Sequence, residues 1–229
     1  RLFPEAITLR KDKDTTGKKG AYSSILSDFL NKKADILIGT QMIVKGHDFE
    51  NVTLVGIMLA DLSLFDNDYR AGEKTFDLLT QAAGRAGRGE KRGHVVIQTY
   101  QPEHYAICAA TKQSYEEFFD MEMTYRRLLK YPPVYNMMVV LITGDNYDEL
   151  CVASKELHSS ISDRARSLGK IRIIGPSDAT ILKINDVYRR VIYLKSTNSD
   201  ELMEIRNTID EFSRDGIKIG VDVNPVNMY

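Results

Sequence analysis

Short apolar runs alternate with amphipathic stretches through the first half of the chain. AITLR (6–10) alternates as a strand does, and AYSSILSDFLNKK (21–33) gathers Ile25, Leu26, Phe29 and Leu30 on one side of a helix. DILIG (35–39) and TLVGIMLA (53–60) read as strands, the second apolar throughout, as in a parallel sheet covered on both faces. A helix carrying Gln81 follows, then the strand HVVIQTY (94–100) and helices at 103–112 and 114–130. This alternation predicts right-handed crossovers and a parallel sheet, an α/β lobe.

Pro132-Pro133 closes that pattern, because neither proline continues a helix and each restricts the residue before it. Beyond it come the strand NMMVVLITG (136–144), a long helix (147–169), and the strands IRIIG (171–175), ATILKIN (179–185) and YRRVIYLKS (188–196). Asp186-Val187 is the expected hairpin between the last two. A helix capped by Ser199 or Asn198 and closed by Gly216 precedes the final strand IKIGVDVNP (217–225). The order β-α-β-β-β-α-β predicts a smaller α+β domain, ferredoxin-like with an extra or broken strand. Two domains are expected, 1–130 and 131–229.

Composition narrows the function. With 229 residues and a net charge of −1, the chain has no global basic field, so any nucleic-acid binding is local. Cys108 and Cys151 lack CxxC spacing and read as reduced thiols of a cytosolic protein, with no metal site. No apolar run approaches the ~18 residues of a membrane span, and no signal peptide opens the chain. The start at RLFPEAITLR, without methionine, suggests a fragment.

The stretch LLTQAAGRAGRGEKRGH (78–94) places two glycines where a helix would lose about 1 kcal/mol for each. If the helix runs on, Gln81, Arg85 and Arg88 stand at i, i+4 and i+7 on one face, separated by alanine and glycine that admit a ligand closely. Forked, permanently charged guanidinium groups suit phosphate oxygens. The alternative is a surface helix whose arginines pair with acids. In ILIGTQMIVKGHDF (36–49), a strand delivers Thr40 to the carboxyl edge of the sheet, where its hydroxyl and N–H suit a phosphate. Gly46 permits a tight backbone there, and Asp48 can accept from a ribose hydroxyl. A plain exposed loop is the other reading. In DKDTTGKKG (12–20), Thr15 and Thr16 either cap a helix or join the lysines at phosphate. Its GKK lacks P-loop spacing.

QAAGRAGRG resembles motif VI of superfamily 2 helicases. ILIGTQMIVKGHDFENVTLVGIMLAD (36–61) resembles motif V in the form used by the primosomal protein N′ (PriA) family of replication-restart helicases. RKDKDTTGKKG, DYRAGEK, YPP, IIGPSDA and YRRVIYLK resemble the same family, so the likeness covers nearly the whole chain. It implies a RecA-like lobe of P-loop NTPase fold, the second of two, followed by the family's C-terminal domain. It also implies an ATP-dependent 3′-to-5′ DNA helicase of the bacterial cytoplasm that recognises stalled or branched forks and restarts replication by primosome assembly. Arg85 and Arg88 would be catalytic arginines, and Gln81, Gly46 and Asp48 would bind ATP. Thr40, Gln41, Lys45, Thr15 and Thr16 would hold DNA.

The implied partners are branched and single-stranded DNA, single-stranded-DNA-binding protein, other primosome proteins and the first helicase lobe of the same chain. ATP with Mg2+ serves the full-length protein, and the family's zinc has no site here. Neither GxxxxGK[ST] nor an Asp-Glu-x-His box occurs, so this chain alone is expected to hydrolyse no ATP. In the second domain Lys183, Tyr188, Arg189, Arg190 and Lys195 form a basic cluster with one aromatic, and Arg189 and Arg190 are the expected DNA contacts. Tyr188, Arg190 and Ile192 alternate, and equally suit one solvated sheet face. Two other readings stay open. One is another superfamily 2 translocase of recombination or repair, against which DKDTT and YPP argue. The other is a non-catalytic nucleic-acid-binding module.

Overall fold

A computed structural model describes residues 3–11, 21–40, 49, 51–87, 92–225 and 228–229. They form two compact units, Arg1–Phe65 with Ala71–Phe118, and Asp66–Arg70 with Phe119–Tyr229.

In the first unit, β1 (Thr8–Lys11) pairs in parallel with β2 (Ile36–Gly39), with α1 (Ala21–Leu30) between them in sequence. β3 (Leu54–Ile57) pairs in parallel with β4 (His94–Ile97), with a 3-10 helix (Ala60–Phe65) and α2 (Ala71–Ala83) between. These are the expected crossover units, although the described residues give two parallel pairs rather than one continuous sheet. α3 (Tyr105–Lys112) presents Ala106, Ala109 and Ala110, whose small side chains allow a close packing around Phe76 and Leu79 of α2. Phe118, from the start of α4 (Tyr115–Leu129), stacks on Phe76 at 4.4 Å.

In the second unit, β5 (Asn136–Gly144), α5 (Tyr147–Leu168), β6 (Arg172–Ile184), β7 (Val187–Ser196), α6 (Ser199–Glu211) and β8 (Ile217–Val223) follow in chain order. The sheet order is β6-β7-β5-β8, every pair antiparallel. Leu157 and Ile161 of α5 and Leu202 and Ile205 of α6 pack on Val140 and Ile192 of the sheet. Asn146 and Asn198 cap the two helices, each accepting a backbone N–H bond in its first turn.

Three expectations are corrected here. The two strands expected at 171–185 are one strand, β6, whose pairing shifts between Ile174 and Ser177 and again between Asp178 and Lys183. Proline at 176 donates no ladder bond, and Gly175 has φ +100, where an added Cβ would stand 2.7 Å from the Val191 carbonyl oxygen, so the strand bulges instead of ending. The hairpin turns at Asn185-Asp186, both left-handed (φ 48 and 64), one residue before the expected pair. α6 ends at Glu211 rather than at Gly216, which instead turns the chain into β8 with φ 73.

α4 stops at Leu129, ahead of the prolines, yet the division between units falls within it, after Phe118. Its second half is fixed by a buried ion pair. Arg126 Nε donates to Glu122 Oε1 at 2.7 Å and its Nη1 to the Pro132 carbonyl at 2.9 Å. On the sheet face away from α5 and α6, Lys195 is 4% exposed. Its Nζ lies 3.3 Å from the centre of the Tyr131 ring and donates to the Leu129 carbonyl. Burial, helped by Arg172 opposite it in the ladder, lowers its pKa from 10.5 to about 8.

Two outcomes are expected. Removing one partner of the buried pair, as in Glu122→Ala, takes the opposite charge away from a buried guanidinium and lowers unfolding free energy by about 3 kcal/mol in urea titration. Folding disfavours the protonated Lys195, so its contribution to stability rises as pH climbs from about 8 toward 10.5. The urea midpoint should increase between those two values in the wild type, and by less in Lys195→Met.

Candidate nucleotide and nucleic-acid site

α2 buries Ala71, Thr75, Phe76, Leu79 and Ala82 and turns Glu73, Asp77 and Gln81 outward at four-residue intervals. Partial burial, with Glu73 one turn away, raises the pKa of Asp77. Gln81 is exposed in the last turn of the helix.

The helix ends before Arg85, so Gln81 and Arg85 do not share one helical face as expected. After Ala83 the bonds shorten to three-residue steps, Arg85 N–H to the Ala82 carbonyl and Ala86 N–H to that of Ala83. Gly87 then takes φ +74 and donates its N–H to the Val52 carbonyl at 3.0 Å, tying this turn to the residues leading into β3. A Cβ on Gly87 would stand 2.6 Å from the Gly93 nitrogen, and one on Gly93 would meet Ala86 and Gly87. The glycines therefore let two backbones touch at the entrance to β4. Arg85 lies half-buried in this turn, past the helix end rather than on its face.

Thr40 is exposed just beyond β2, at the carboxyl end of its strand as expected. Thr15, Thr16, Gln41, Lys45, Gly46, Asp48 and Arg88 lie outside the described residues. Of the assigned nucleotide and DNA residues in this unit, Gln81, Arg85 and Thr40 are therefore the ones with a place in the fold.

Asp61 was not singled out by its sequence pattern. It is 2% exposed at the start of the 3-10 helix, where it accepts bonds from the Thr99 hydroxyl and the Tyr100 N–H. Those bonds, the hydroxyl's first, hold its carboxyl below the ordinary carboxylate range. They join the end of β4 to the segment leading into α2. The signal available in the sequence was an acid closing an apolar strand.

In the second unit the basic cluster divides between two sheet faces. Tyr188 and Ile192 belong to the face packed by the helices, so the solvated-face alternative does not hold for that row. Arg190 shares their alternation. Its side chain is 11% exposed, its Nε is 3.3 Å from Asp178 and its Nη2 donates to the Pro176 carbonyl. Lys195 points to the opposite face and is buried against Tyr131, which removes it from the outward cluster. Arg189 stays half-exposed, 5.7 Å from the Tyr229 ring, and Lys183 lies 4.8 Å from the Tyr188 ring with its ammonium bonded to Asp186. Among the described residues no three His, Cys, Asp or Glu side chains are placed to hold a metal ion, and no helix is long and apolar enough to cross a membrane.

Residues 14–90 match the helicase conserved C-terminal domain, and residues 127–226 match the primosomal protein N C-terminal domain. Replication restart protein PriA of Bacillus subtilis is 41% identical over the whole chain, and that of Synechocystis is 36% identical over 99% of it. The protein of the same name from Haemophilus influenzae is 31% identical over 99%. The chain belongs to the PriA family, and it spans 29%, 27% and 31% of the lengths of these three relatives.

The glycine geometry generates a contrast. Gly87→Ala combines a left-handed backbone with a backbone clash and should lower unfolding free energy by about 2 kcal/mol. Gly84→Ala would make only an ordinary 3.4 Å contact with the Thr80 carbonyl, and should be neutral or stabilising by about 0.5 kcal/mol. Thermal unfolding of both variants measures the difference.

Proposed function

We propose that the chain is the second motor lobe and C-terminal unit of an ATP-dependent DNA helicase that restarts replication at stalled or branched forks in the bacterial cytoplasm. The observation that carries this reading is the alignment of the entire chain, both units included, with bacterial proteins named for replication restart. The half-buried Arg85 in the turn after α2 supports it, since a guanidinium there offers forked, permanently charged donors to phosphate.

In this reading Arg85 and Arg88 neutralise charge developing on the γ-phosphate of ATP bound by the first lobe, while Gln81, Gly46 and Asp48 contact the nucleotide. Thr40, Gln41, Lys45, Thr15 and Thr16 hold the DNA backbone, a role that positions the strand without reading its sequence. Closure over ATP and reopening then step the lobe along DNA, 3′ to 5′. Mg2+ is bound by the other lobe, and no step here is assigned to zinc.

The second unit is proposed as a ferredoxin-like domain, supported by its β-α-β-β-α-β order and the strand sequence β8-β5-β7-β6. Arg189 and Lys183 are its outward cations for branched or single-stranded DNA. Arg190 supports them from within the sheet by bonding Asp178 and the bulge at Pro176. Single-stranded-DNA-binding protein and other primosome proteins are the proposed protein partners.

In the full-length protein, Arg85→Ala should lower DNA-stimulated ATP hydrolysis about 100-fold or more and leave fork binding within a few-fold. The 229-residue chain alone should release no phosphate from ATP. Stimulated hydrolysis that survives Arg85→Ala, or hydrolysis by the chain alone, would overturn the assignment.

A further inference from the structure

Tyr229 is seated in the second unit, on the sheet face away from α5 and α6. Arg189, Val191 and Tyr193 of β7 alternate with the helix-packed row and share that face. The Tyr229 main-chain oxygen accepts from the Tyr193 hydroxyl at 3.1 Å and from the Thr180 hydroxyl of β6 at 3.0 Å. Burial, with Tyr131 close by, raises the pKa of Tyr193, so its phenol keeps the proton it donates. Asn67 donates in turn to the Thr180 hydroxyl at 3.1 Å, so that hydroxyl both receives and gives a bond.

The support behind this seat belongs to the same unit. Asn67 lies in Asp66–Arg70, the segment that packs with the second unit. There the Tyr69 ring stacks on Tyr131 at 5.0 Å, with the Arg126 guanidinium 5.3 Å from its centre. The chain leading to Tyr229 is tied at Asn224, which exchanges bonds with the Met137 backbone. One residue on, the Tyr69 hydroxyl approaches the Pro225 carbonyl at 3.5 Å.

The ring of Tyr229 meets Arg189, whose guanidinium carbon is 5.7 Å from the ring centre. Arg189 Nη1 also donates to the Ile181 carbonyl at 3.4 Å. Attraction to a ring face draws on the charge of the whole guanidinium and consumes none of its five N–H donors. A long side chain free in water loses much rotamer freedom on docking, and one already held loses less. Tyr229 thus restrains Arg189 without taking the donors that a phosphate oxygen needs. The neighbouring Arg190 is restrained differently, with its Nη2 spent on the Pro176 carbonyl inside the sheet.

We propose that Tyr229 is a positioning residue for DNA binding, which holds the Arg189 guanidinium in place for a backbone phosphate of fork DNA. The ring acts through Arg189 and does not itself touch the nucleic acid. The proposal rests on the reading of Arg189 as a DNA contact and adds the group that orients it.

The test measures fork binding by anisotropy over a range of salt concentrations, in the full-length protein. The variants are Tyr229→Ala, Tyr229→Phe, Arg189→Ala and the double variant Arg189→Ala/Tyr229→Ala, each with its melting temperature. Arg189→Ala should weaken binding about tenfold and make the slope of log affinity against log salt shallower by about one. Tyr229→Ala should weaken binding about fivefold and leave that slope nearly unchanged, because the charge remains. Tyr229→Phe keeps the ring and should bind as wild type. The double variant should bind within about twofold of Arg189→Ala alone. Losses that multiply in the double variant overturn the proposal, since the ring would then act on DNA by itself. Wild-type binding by Tyr229→Ala beside a weakened Arg189→Ala overturns it as well. If Tyr229→Ala does not fold, Tyr229→Leu, which fills the seat without a π face, decides by the same criteria. Wild-type binding by Arg189→Ala would instead overturn the DNA reading of Arg189, and leave Tyr229 nothing to position.

Discussion

A buried ammonium against a tyrosine ring organises much of this chain. Lys195 stands where a sheet face would ordinarily place an apolar residue, and burial disfavours its charge enough to bring the pKa to about 8. The Tyr131 ring and the Leu129 carbonyl compensate for part of the lost hydration. Tyr131 is thereby fixed just after α4, and its other face is offered to Tyr69. The second face of the antiparallel sheet is consequently closed by aromatic and cationic groups from distant parts of the sequence. The first face follows the ordinary rule of two amphipathic helices on alternating apolar positions.

The two units use glycine and proline to opposite ends. In the first, Gly87 and Gly93 bring two backbones together, and the glycine-rich turn keeps its shape by contact rather than by helix propagation. In the second, Gly175 and Pro176 open a bulge in β6, whose pairing resumes on the far side. That bulge leaves the Pro176 carbonyl available to Arg190, the one of two adjacent arginines that β7 turns inward.

Element order was readable because periods of two and near 3.6 residues are local properties of the sequence. The cap at Asn198 and the end of α4 before Pro132-Pro133 are equally local. The glycine-arginine stretch signalled its chemistry through residue type, but where α2 stops depends on the bond from Gly87 to Val52, which no helical periodicity contains. The unity of β6 was hidden because Pro176 reads as a strand breaker unless its bulge is paired across to β7. The membership of Asp66–Arg70 in the second unit was hidden for the same reason. Its partners, Tyr131, Thr180 and Pro225, lie far along the chain. Arg189 and Arg190 were legible as a pair, and their different roles were not, since β7 places alternate residues on opposite faces.

The crossing of the chain at Asp66–Arg70 bears on how the protein is made. Synthesis runs from the amino end, so the first unit has its last residue, Phe118, when most of the second has yet to leave the ribosome. Tyr69 must then wait for Arg126, Tyr131 and finally Lys195 before its ring has a complete seat. The junction between the 3-10 helix and α2 is made early and completes its packing only with residues made late.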